Sequence, residues 1–492
     1  MRVCLINPPR IQPKLWGKPS VYQPLDLAYV AAVLEKQHEV HIIDAPTEGW
    51  KNLEEIDGTK YRQGLRNEEI AARIRQWSPN IVVITVPFSG WSKAAFETAY
   101  TAKSVDKGII TVLIGLHPSA RPVDCLMQPN IDFAVIGEPE QTVLELVGVL
   151  EQGKLENLKK VRGIAFVKNG ETIITPPRPF IQDLDSLPFP ARHLLPMNEF
   201  FAAAKERPIS GNLRKPCVRM LTSRGCPYNC IFCSNHIVMG KKWRSRSPEN
   251  VVEEIEQIVH TYHIKQVDFL DDNLTLDKKR METICDLIVE RGLDIEWCTP
   301  NGVRADCLDA NLLSKMRTSG CQSILIAPES GVQRVVDQII KKNQDLRKVE
   351  SAIVAARKVG IKVGCFFIIG LIGETKDDIK ATINYAYKLR QLGAERFYFS
   401  YATPLYGTEL YDQAKHGGFL KSTFSDEALS EAKPLIETPE FTADDLLMLS
   451  AEANLVNPTF TRDRFARAMR DPKKAIKILF ERRKMTGKQR SK

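Results

Sequence analysis

The sequence has 492 residues, 43% of them hydrophobic and 26% charged; this composition excludes a disordered or fibrous protein and predicts two or three folded domains. No stretch approaches the roughly 20 apolar residues that cross a bilayer, and the N-terminal residues do not resemble a signal peptide. We therefore expect a cytoplasmic protein whose eleven cysteines are thiols rather than disulfides.

Apolar runs rich in Val and Ile alternate with amphipathic stretches over residues 1–152, which we predict to be the first domain. The predicted strands are 3–7, 40–44, 81–86, 111–115 and 133–137, and the predicted helices are 25–35, 67–77, 93–105 and 141–151. Strands and helices that alternate in this way indicate an open, doubly wound, Rossmann-like parallel sheet covered on both faces. Ligands of such a sheet lie at the carboxyl ends of the strands.

A linker is predicted over residues 153–213, with a β-hairpin formed by 163–167 and 172–175 and a proline-rich crossover at 185–192. Strands near 217–222, 266–270, 295–299, 323–326, 362–369 and 396–401 then alternate with helices. Six such units predict a partial TIM-type (β/α)6 barrel over residues 214–415, with its chemistry at the carboxyl ends of the strands. Residues 416–492 are predicted to be helical.

Three of the eleven cysteines, Cys226, Cys230 and Cys233, cluster directly after the first barrel strand. Their spacing allows one loop to present three thiolates to one 4Fe-4S cluster, which leaves one iron open to a substrate. A structural zinc site is the competing interpretation, with His236 as its nearest fourth ligand. A non-enzymatic iron–sulfur protein is a further alternative, although an electron carrier favours a fourth cysteine.

The pattern Cys226-x-x-x-Cys230-x-Phe232-Cys233 resembles the signature of the radical S-adenosylmethionine (SAM) superfamily. Further motifs of that superfamily close the next barrel strands, at 269–273, 301–306, 328–331 and 364–375. The resemblance implies that the cluster cleaves SAM to a 5′-deoxyadenosyl radical. It also implies that Phe232 packs beside the adenine, that Glu329 and Ser330 contact SAM, and that Asp272 and Arg304 lie near the SAM or substrate pocket.

The first domain resembles that of cobalamin-binding radical SAM enzymes, through Pro8-Pro9 and the stretches 22–29, 114–119 and 135–140. Asp26 and Leu116 stand where that group usually has glycine. The resemblance implies cobalamin contacts from residues at or just after strand ends: Thr85, Ser89, Gly115, His117, Gly137 and Glu138. We expect His117 to make a local contact rather than to bind cobalt, because it follows the fourth strand and not the first.

The combined resemblance implies a cobalamin-dependent methyltransferase that acts on an unactivated carbon and receives electrons from a low-potential donor such as flavodoxin or ferredoxin. Because the cofactors carry the difficult chemistry, no catalytic acid or base is nominated. If the first domain is a scaffold without cobalamin, a cyclase or another carbon–carbon bond-forming or rearranging enzyme is the alternative. A tRNA methylthiotransferase is less consistent, because the first domain has only Cys4 and Cys125.

The net charge of +9 is concentrated in the tail, where residues 462–492 carry thirteen Lys and Arg against three acidic residues. Apolar residues recur within the tail at nearly helical spacing, a pattern that fits either a helix packed on the barrel or peripheral contact with an anionic membrane. The second interpretation would suit a lipid substrate, whereas the first leaves any hydrophobic or small metabolite open. Nucleic acid is not an expected partner, because no aromatic stacking platform accompanies the charge.

Overall fold

The computed structural model describes residues 1–14, 17–207 and 217–457. Two α/β bodies follow one another along the chain, as the alternating sequence pattern predicts. In the first body the strands are β1 (Arg2–Asn7), β2 (Arg10–Pro13), β3 (Glu39–Asp44), β4 (Leu53–Ile56), β5 (Lys60–Gln63), β6 (Ile81–Thr85), β7 (Ile110–Ile114), β8 (Phe133–Val135), β9 (Ile164–Lys168) and β10 (Glu171–Ile174). Its helices are α1 (Leu25–Leu34), α2 (Ala45–Glu48), α3 (Asn67–Trp77), α4 (Ser92–Val105), α5 (Leu116–Ala120), α6 (Pro122–Leu126) and α7 (Pro139–Glu151).

Seven strands form the first sheet in the order β10-β9-β8-β7-β6-β1-β3. The five from β3 to β8 are parallel, and alternate residues of β1 pack into two apolar clusters on opposite faces of the sheet. The chain leaves β1 toward β3 on one side and later returns on the other side to β6. This topological switch opens a crevice at the carboxyl ends of β1 and β6, where doubly wound sheets bind ligands.

The second body is the predicted barrel. Its strands are β11 (Cys217–Met220), β12 (Ser223–Arg224), β13 (Arg244–Ser245), β14 (Gln266–Phe269), β15 (Glu296–Val303), β16 (Cys321–Glu329), β17 (Lys362–Ile369) and β18 (Arg396–Tyr401). The helices from the linker onward are α8 (Met197–Glu206), α9 (His236–Met239), α10 (Pro248–Tyr262), α11 (Lys278–Glu290), α12 (Ala310–Thr318), α13 (Leu346–Lys358), α14 (Lys376–Leu392), α15 (Glu409–His416) and α16 (Ala443–Ala453). Six strands pair in parallel in the order β11-β14-β15-β16-β17-β18, which is the expected partial (β/α)6 barrel.

Three features differ from the sequence-based expectation. The predicted hairpin forms, but β9 pairs antiparallel with β8, so the first sheet continues past residue 152, where we placed the domain boundary. A small sheet β2-β5-β4, not predicted, lies beside the crevice strands. Residues 417–442 are largely irregular rather than helical, with isolated bridges such as Leu420 to Ile436. The basic tail 462–492 lies outside the described residues.

The two bodies pack directly on each other. The Arg219 amide of β11 donates to Gln23 Oε1 of the first body at 3.1 Å, and the Ala191 amide of the linker donates to the Ala28 carbonyl of α1 at 2.9 Å. One apolar cluster runs from α1 of the first body into the barrel core. Within the described ranges, no helix is both long enough and apolar enough to span a bilayer.

Candidate active site

The three clustered cysteines lie in the loop after β12, at the carboxyl end of the barrel. Cys226, Cys230 and Cys233 are half-buried free thiols. The Cys233 amide donates to the Cys230 carbonyl at 3.1 Å, and the Ile231 amide donates to the Ile340 carbonyl at 3.1 Å. These bonds fold the loop so that one short segment presents three thiols.

Gly225 fixes the entry of this loop. Its φ is +81°, and a Cβ at this position would lie 2.4 Å from the Lys242 carbonyl oxygen. Only glycine accepts both the left-handed backbone and this close approach without rearrangement. The backbone before Cys226 is therefore built for this turn.

Positive side chains lie close enough to the half-buried thiols to affect their ionisation. Burial raises the pKa of Cys230 to about 11 and the pKa of Cys233 to about 12. Lys342 and Arg304 act in the opposite direction on the pKa of Cys230. Because cluster ligands are thiolates, these two cations favour the charge state that a cluster requires.

Arg304 and Glu329, both predicted to lie near SAM, belong to one polar network with Lys342. The Lys342 ammonium is 2.7 Å from Glu329 Oε1. The backbone carbonyl of Lys342 accepts a hydrogen bond from Arg304 Nη1 at 3.0 Å. Arg304 also pairs with Asp306 at 2.7 Å and stacks 3.6 Å from the centre of the Tyr228 ring. The structure thus brings these two residues together next to the cysteine loop.

Asp272 closes the cysteine loop from the side of β14. It accepts a hydrogen bond from Asn235 Nδ2, and its negative charge raises the pKa of both Cys226 and Cys233. Burial, with a contribution from the neighbouring Asp271, raises the pKa of Asp272 to about 6. This carboxylate therefore lies at the predicted mouth.

Phe232 and Ser330 make contacts that stabilise the barrel. Phe232 is half-buried and packs against the barrel core. Ser330 is fully buried, its hydroxyl is 2.9 Å from Thr382 Oγ1, and it accepts from the Val332 amide at 3.2 Å. In this arrangement the Ser330 hydroxyl holds the end of β16 against α14.

The strand ends of the first domain hold several of the residues predicted to contact cobalamin. Thr85 is buried at the end of β6 and donates its hydroxyl to Asp26 Oδ2. Asp26 also accepts from the Leu27 amide at 2.9 Å, and burial raises the pKa of its carboxyl. The aspartate at this unusual position thus makes a defined contact across the crevice.

Gly115 and Gly137 occupy the ends of the next two strands. Gly115 has φ +109°, and a Cβ there would lie 2.8 Å from the Val86 carbonyl oxygen. Gly137 has φ +85° with open space beside it, and its amide donates to Ser119 Oγ at 3.1 Å. An open backbone at a strand end is the surface against which a large planar ligand can lie.

His117 and Ser89 lie on the far side of these strand ends, under a segment that follows the barrel. His117 is buried between Phe96 and Tyr406, and its Nε2 is 3.9 Å from Asp426. Burial lowers the pKa of this imidazole. Ser89 is buried nearby. His117 does not line the crevice at the switch point.

A cavity of about 380 Å³ occupies the crevice at the switch point. Residues of the first domain and of the barrel line it together: Asn7, Pro8, Pro9, Arg10, Tyr22, Asp26, Thr85, Pro87, Trp91, Arg219 and Leu270 are among them. Leu270 directly follows β14 and lies two residues before Asp272, which contacts the cysteine loop. The cavity therefore connects the first sheet to the barrel end that carries the thiols.

Glu138, the remaining residue predicted to contact cobalamin, is buried and forms ion pairs with the barrel. Its carboxylate pairs with Arg224 at 3.0 Å and with Arg244 at 2.9 Å, while Glu140 pairs with Arg224 at 2.6 Å. Arg224 lies two residues before Cys226. These acids thus tie the fifth strand end of the first sheet to the start of the cysteine loop.

Sequence reasoning missed several of these residues. The missed residues are Arg219 and Lys342, which lie outside the sequence motifs, and Arg224, which lies just before the cysteine motif. Their partners are distant in sequence and meet them only in the folded chain. A signal was present for Arg219, because a lone arginine interrupts the apolar stretch Cys-Val-Arg-Met of β11. Such a residue on a barrel strand points to the lumen.

Comparison with known proteins places these features in a family. The family model described as the radical SAM superfamily matches residues 220–386, and the one described as a B12 binding domain matches residues 19–147. An uncharacterized methyltransferase of Pyrococcus horikoshii is 32% identical over 92% of this chain and 91% of its own length. The chain belongs to the cobalamin-binding radical SAM family.

Two further comparisons agree with this family membership. The cytidylyl-2-hydroxyethylphosphonate methyltransferase of Streptomyces wedmorensis is 31% identical over 89% of this chain and 86% of its own length. The radical SAM methyltransferase TsrM of Kitasatospora setae superposes with a TM-score of 0.68, at 15% identity, over 93% of this chain and 89% of TsrM. The TsrM comparison supports the two-domain fold.

The residues of this cobalamin-binding radical SAM protein fit the family's cofactors. Three free thiols in one loop match a ligand set that leaves one iron open. The strand-end crevice and the open backbone at Gly137 offer a surface for a large planar ligand. Within the described ranges, no three His, Cys, Asp or Glu side chains converge on a single metal-ion position.

Family membership confirms that the protein is an enzyme with a 4Fe-4S cluster, SAM and cobalamin as cofactors. Like other radical SAM enzymes, it acts on a small-molecule substrate and requires a reductant. The competing zinc and non-enzymatic interpretations are therefore set aside. The individual SAM and cobalamin contacts remain predictions of the residue pattern.

Proposed function

We propose that this protein transfers a methyl group from SAM to an unactivated carbon of a small-molecule substrate. The cavity at the switch point is the observation that carries the proposal, because its walls come from the first sheet and from the barrel. A substrate in this cavity would lie beside both cofactor regions. Methyl transfer through two cofactors requires such a shared space.

When bound, the cluster and SAM supply the 5′-deoxyadenosyl radical, and cobalamin supplies the methyl group. Cys226, Cys230 and Cys233 would hold the cluster. Phe232, Asp272, Arg304, Glu329 and Ser330 are proposed to line the SAM site. The proposed cobalamin contacts are Thr85, Ser89, Gly115, His117, Gly137 and Glu138.

The chain itself contributes charge balance and exclusion of water. Arg304 and Lys342 offset the negative charge of an ionised cysteine loop. Proline and aromatic side chains such as Pro9, Tyr22 and Trp91 make the cavity wall largely apolar. An apolar wall protects a reactive radical from water and from side reactions.

The proposal extends to the partners. A flavodoxin or ferredoxin is the proposed low-potential electron donor, and the basic tail 462–492 is proposed to contact an anionic membrane if the substrate is a lipid. Co-sedimentation with anionic liposomes, using the full chain and a variant lacking 462–492, tests the tail. Equal sedimentation of both proteins would contradict its role.

Anaerobic reconstitution with iron, sulfide and hydroxocobalamin tests the cofactor assignment. We expect about four iron atoms and about one cobalt atom per chain, with absorption from both groups. Iron without cobalt would contradict methyl transfer through cobalamin and would favour the ring-forming or rearranging alternative. A chain that binds no iron would contradict radical chemistry altogether.

A further inference from the structure

Two arginines in the cavity wall have no acidic partner. Arg10 begins β2, Arg219 is the third residue of β11, and both line the cavity. Among the described residues, neither guanidinium forms an ion pair with a carboxylate. The Nε atom of each is shielded from solvent and makes no hydrogen bond in this part of the chain.

Tyr22 holds the two cations close together. The Arg10 guanidinium lies 4.7 Å from the centre of the Tyr22 ring, and the Arg219 guanidinium lies 4.1 Å from it. Arg10 is also 4.8 Å from the centre of the Trp91 ring. Burial lowers the pKa of both guanidinium groups, Tyr22 acts on both in the opposite direction, and Arg219 further lowers the pKa of Arg10. The aromatic rings orient these cations but do not neutralise them.

Two carboxylates in the neighbourhood of the arginines, Asp26 in the cavity wall and Asp268 on β14, have other partners. Asp26 accepts from the Thr85 hydroxyl and from the Leu27 amide. Asp268, on β14, accepts from Gln266 Nε2 at 3.0 Å and from Cys298 Sγ at 2.9 Å, and attracts Arg219 only at longer range. Because burying an unpaired charge costs free energy, an anion from outside the chain would stabilise two neighbouring buried guanidinium groups.

The position of Arg219 indicates where that anion comes from. Its strand neighbours Val218 and Met220 pack in the apolar core, so the Arg219 side chain projects to the opposite face of β11. On that face its positive charge interacts with Asp268 of β14 and Cys298 of β15, and both interactions raise the pKa of Arg219. Arg219 thus belongs to the barrel lumen, whereas Arg10 approaches from the first sheet.

We propose that Arg10 and Arg219 form a subsite for an anionic group of the substrate, namely a phosphate, phosphonate or carboxylate. The inference rests on the proposed function and specifies its substrate class. Planar guanidinium groups bind the oxygens of such anions with paired, charge-assisted hydrogen bonds. The subsite anchors the substrate by its charged end and leaves its carbon skeleton free for reaction in the apolar part of the cavity.

The test uses the full chain loaded with cluster and cobalamin, with methylphosphonate as the anionic probe and dimethyl sulfone as a neutral probe of similar shape. Calorimetric titration should detect binding of methylphosphonate and none of dimethyl sulfone. Arg219→Gln and Arg10→Gln should each weaken methylphosphonate binding about tenfold or more, since a hydrogen bond to a charged group contributes about 1.5–3 kcal/mol. Arg66→Gln, which removes an exposed arginine paired with Glu54, should bind like wild type.

Cobalamin itself carries a phosphodiester, and a second arm separates the two sources of the anion. Wild-type protein is loaded either with cobalamin or with cobinamide, which lacks that phosphodiester. Equal methylphosphonate binding by both forms supports a substrate subsite. Binding by the cobinamide form alone would assign the arginines to the cofactor and overturn the proposal.

No methylphosphonate binding by either form would also overturn it, as would unchanged binding by both arginine variants. If Arg219→Gln fails to fold, Arg10→Gln decides. Iron and cobalt contents and 5′-deoxyadenosine formation, measured on the same wild-type samples, report on the proposed function independently of anion binding. Failure of the subsite is thereby distinguished from failure of methyl transfer.

Discussion

Arg224 and Glu138 form a buried ion pair, 3.0 Å between Nη1 and Oε1, that joins two parts of the chain 86 residues apart. Glu138 follows the last parallel strand of the first sheet, and Arg224 begins the turn into the cysteine loop. The same carboxylate also pairs with Arg244. The relative position of the cobalamin domain and the cluster loop thus depends on this contact.

Glu138→Gln should destabilise the protein by about 3–5 kcal/mol, because the buried Arg244 guanidinium loses its counter-ion and Arg224 keeps only Glu140. Chemical denaturation of the purified chain measures the effect. Glu145→Gln is the matched control, since Glu145 lies on α7, the helix that Glu138 directly precedes, in a partly exposed pair with Arg178. We expect a change below about 1 kcal/mol there. Equal effects of the two substitutions would show that the buried pair has no special role.

Cys230→Ser should abolish stable binding of the cluster and formation of 5′-deoxyadenosine from SAM, because two thiolates do not retain the three-ligand site. Iron analysis after anaerobic reconstitution and chromatography of the SAM products measure both effects. Cys307→Ser is the control, since Cys307 is also a half-buried free thiol but lies outside the loop. Loss of iron from the control alone would contradict the assignment of ligands.

Glu374→Gln should change how stability depends on pH. Burial raises the pKa of Glu374 to about 8, although Oε2 accepts from the amides of Gly370 and Leu371. The unfolded chain ionises this group above its ordinary value of 4.5 while the folded chain keeps the proton. The stabilisation that protonated Glu374 contributes is therefore fully present below pH 4.5 and is lost as the pH rises toward 8.

Relative to the glutamine variant, the wild type should lose up to about 1.4 kcal/mol per pH unit between pH 5 and 8. Urea denaturation at several pH values measures this difference. Asp377→Asn, at an exposed position in the first turn of α14 three residues after Glu374, should follow the wild-type curve. Parallel curves for the wild type and Glu374→Gln would refute the buried-proton explanation.

His117→Phe should leave the absorption spectrum of bound cobalamin unchanged. The imidazole is buried between aromatic rings under the segment that carries Asp426, and a phenyl ring preserves that packing. A cobalt-bound imidazole would shift the spectrum when removed. A spectral change confined to this variant would therefore make His117 a cobalt ligand, against our expectation.

The sequence alone predicted the parallel strands of both sheets, because buried strands and amphipathic helices leave local patterns. The predicted helix 67–77 and the strands 362–369 and 396–401 match the structure to the residue. The clustering of the three cysteines in one loop was predictable for the same reason, since it depends only on short spacing along the chain. Their role as cluster ligands stays a prediction.

Long-range partners were not predictable in this way. The pairing of β9 with β8 and the contact of Glu138 with Arg224 and Arg244 depend on how distant segments meet. The residues that cover His117, Tyr406 and Asp426, stand about 300 positions later in the chain. No local sequence pattern indicates these contacts, because they form between segments that come together only when the chain folds.

The fate of the SAM methyl group tests the central claim most directly. The reduced, cluster-loaded chain is incubated with SAM in the presence and in the absence of bound cobalamin, and both nucleoside products are quantified. We predict 5′-deoxyadenosine from both forms, but S-adenosylhomocysteine in proportion to bound cobalt and only from the cobalamin form. S-adenosylhomocysteine independent of cobalamin, or its absence from the cobalamin-loaded enzyme, would contradict the account.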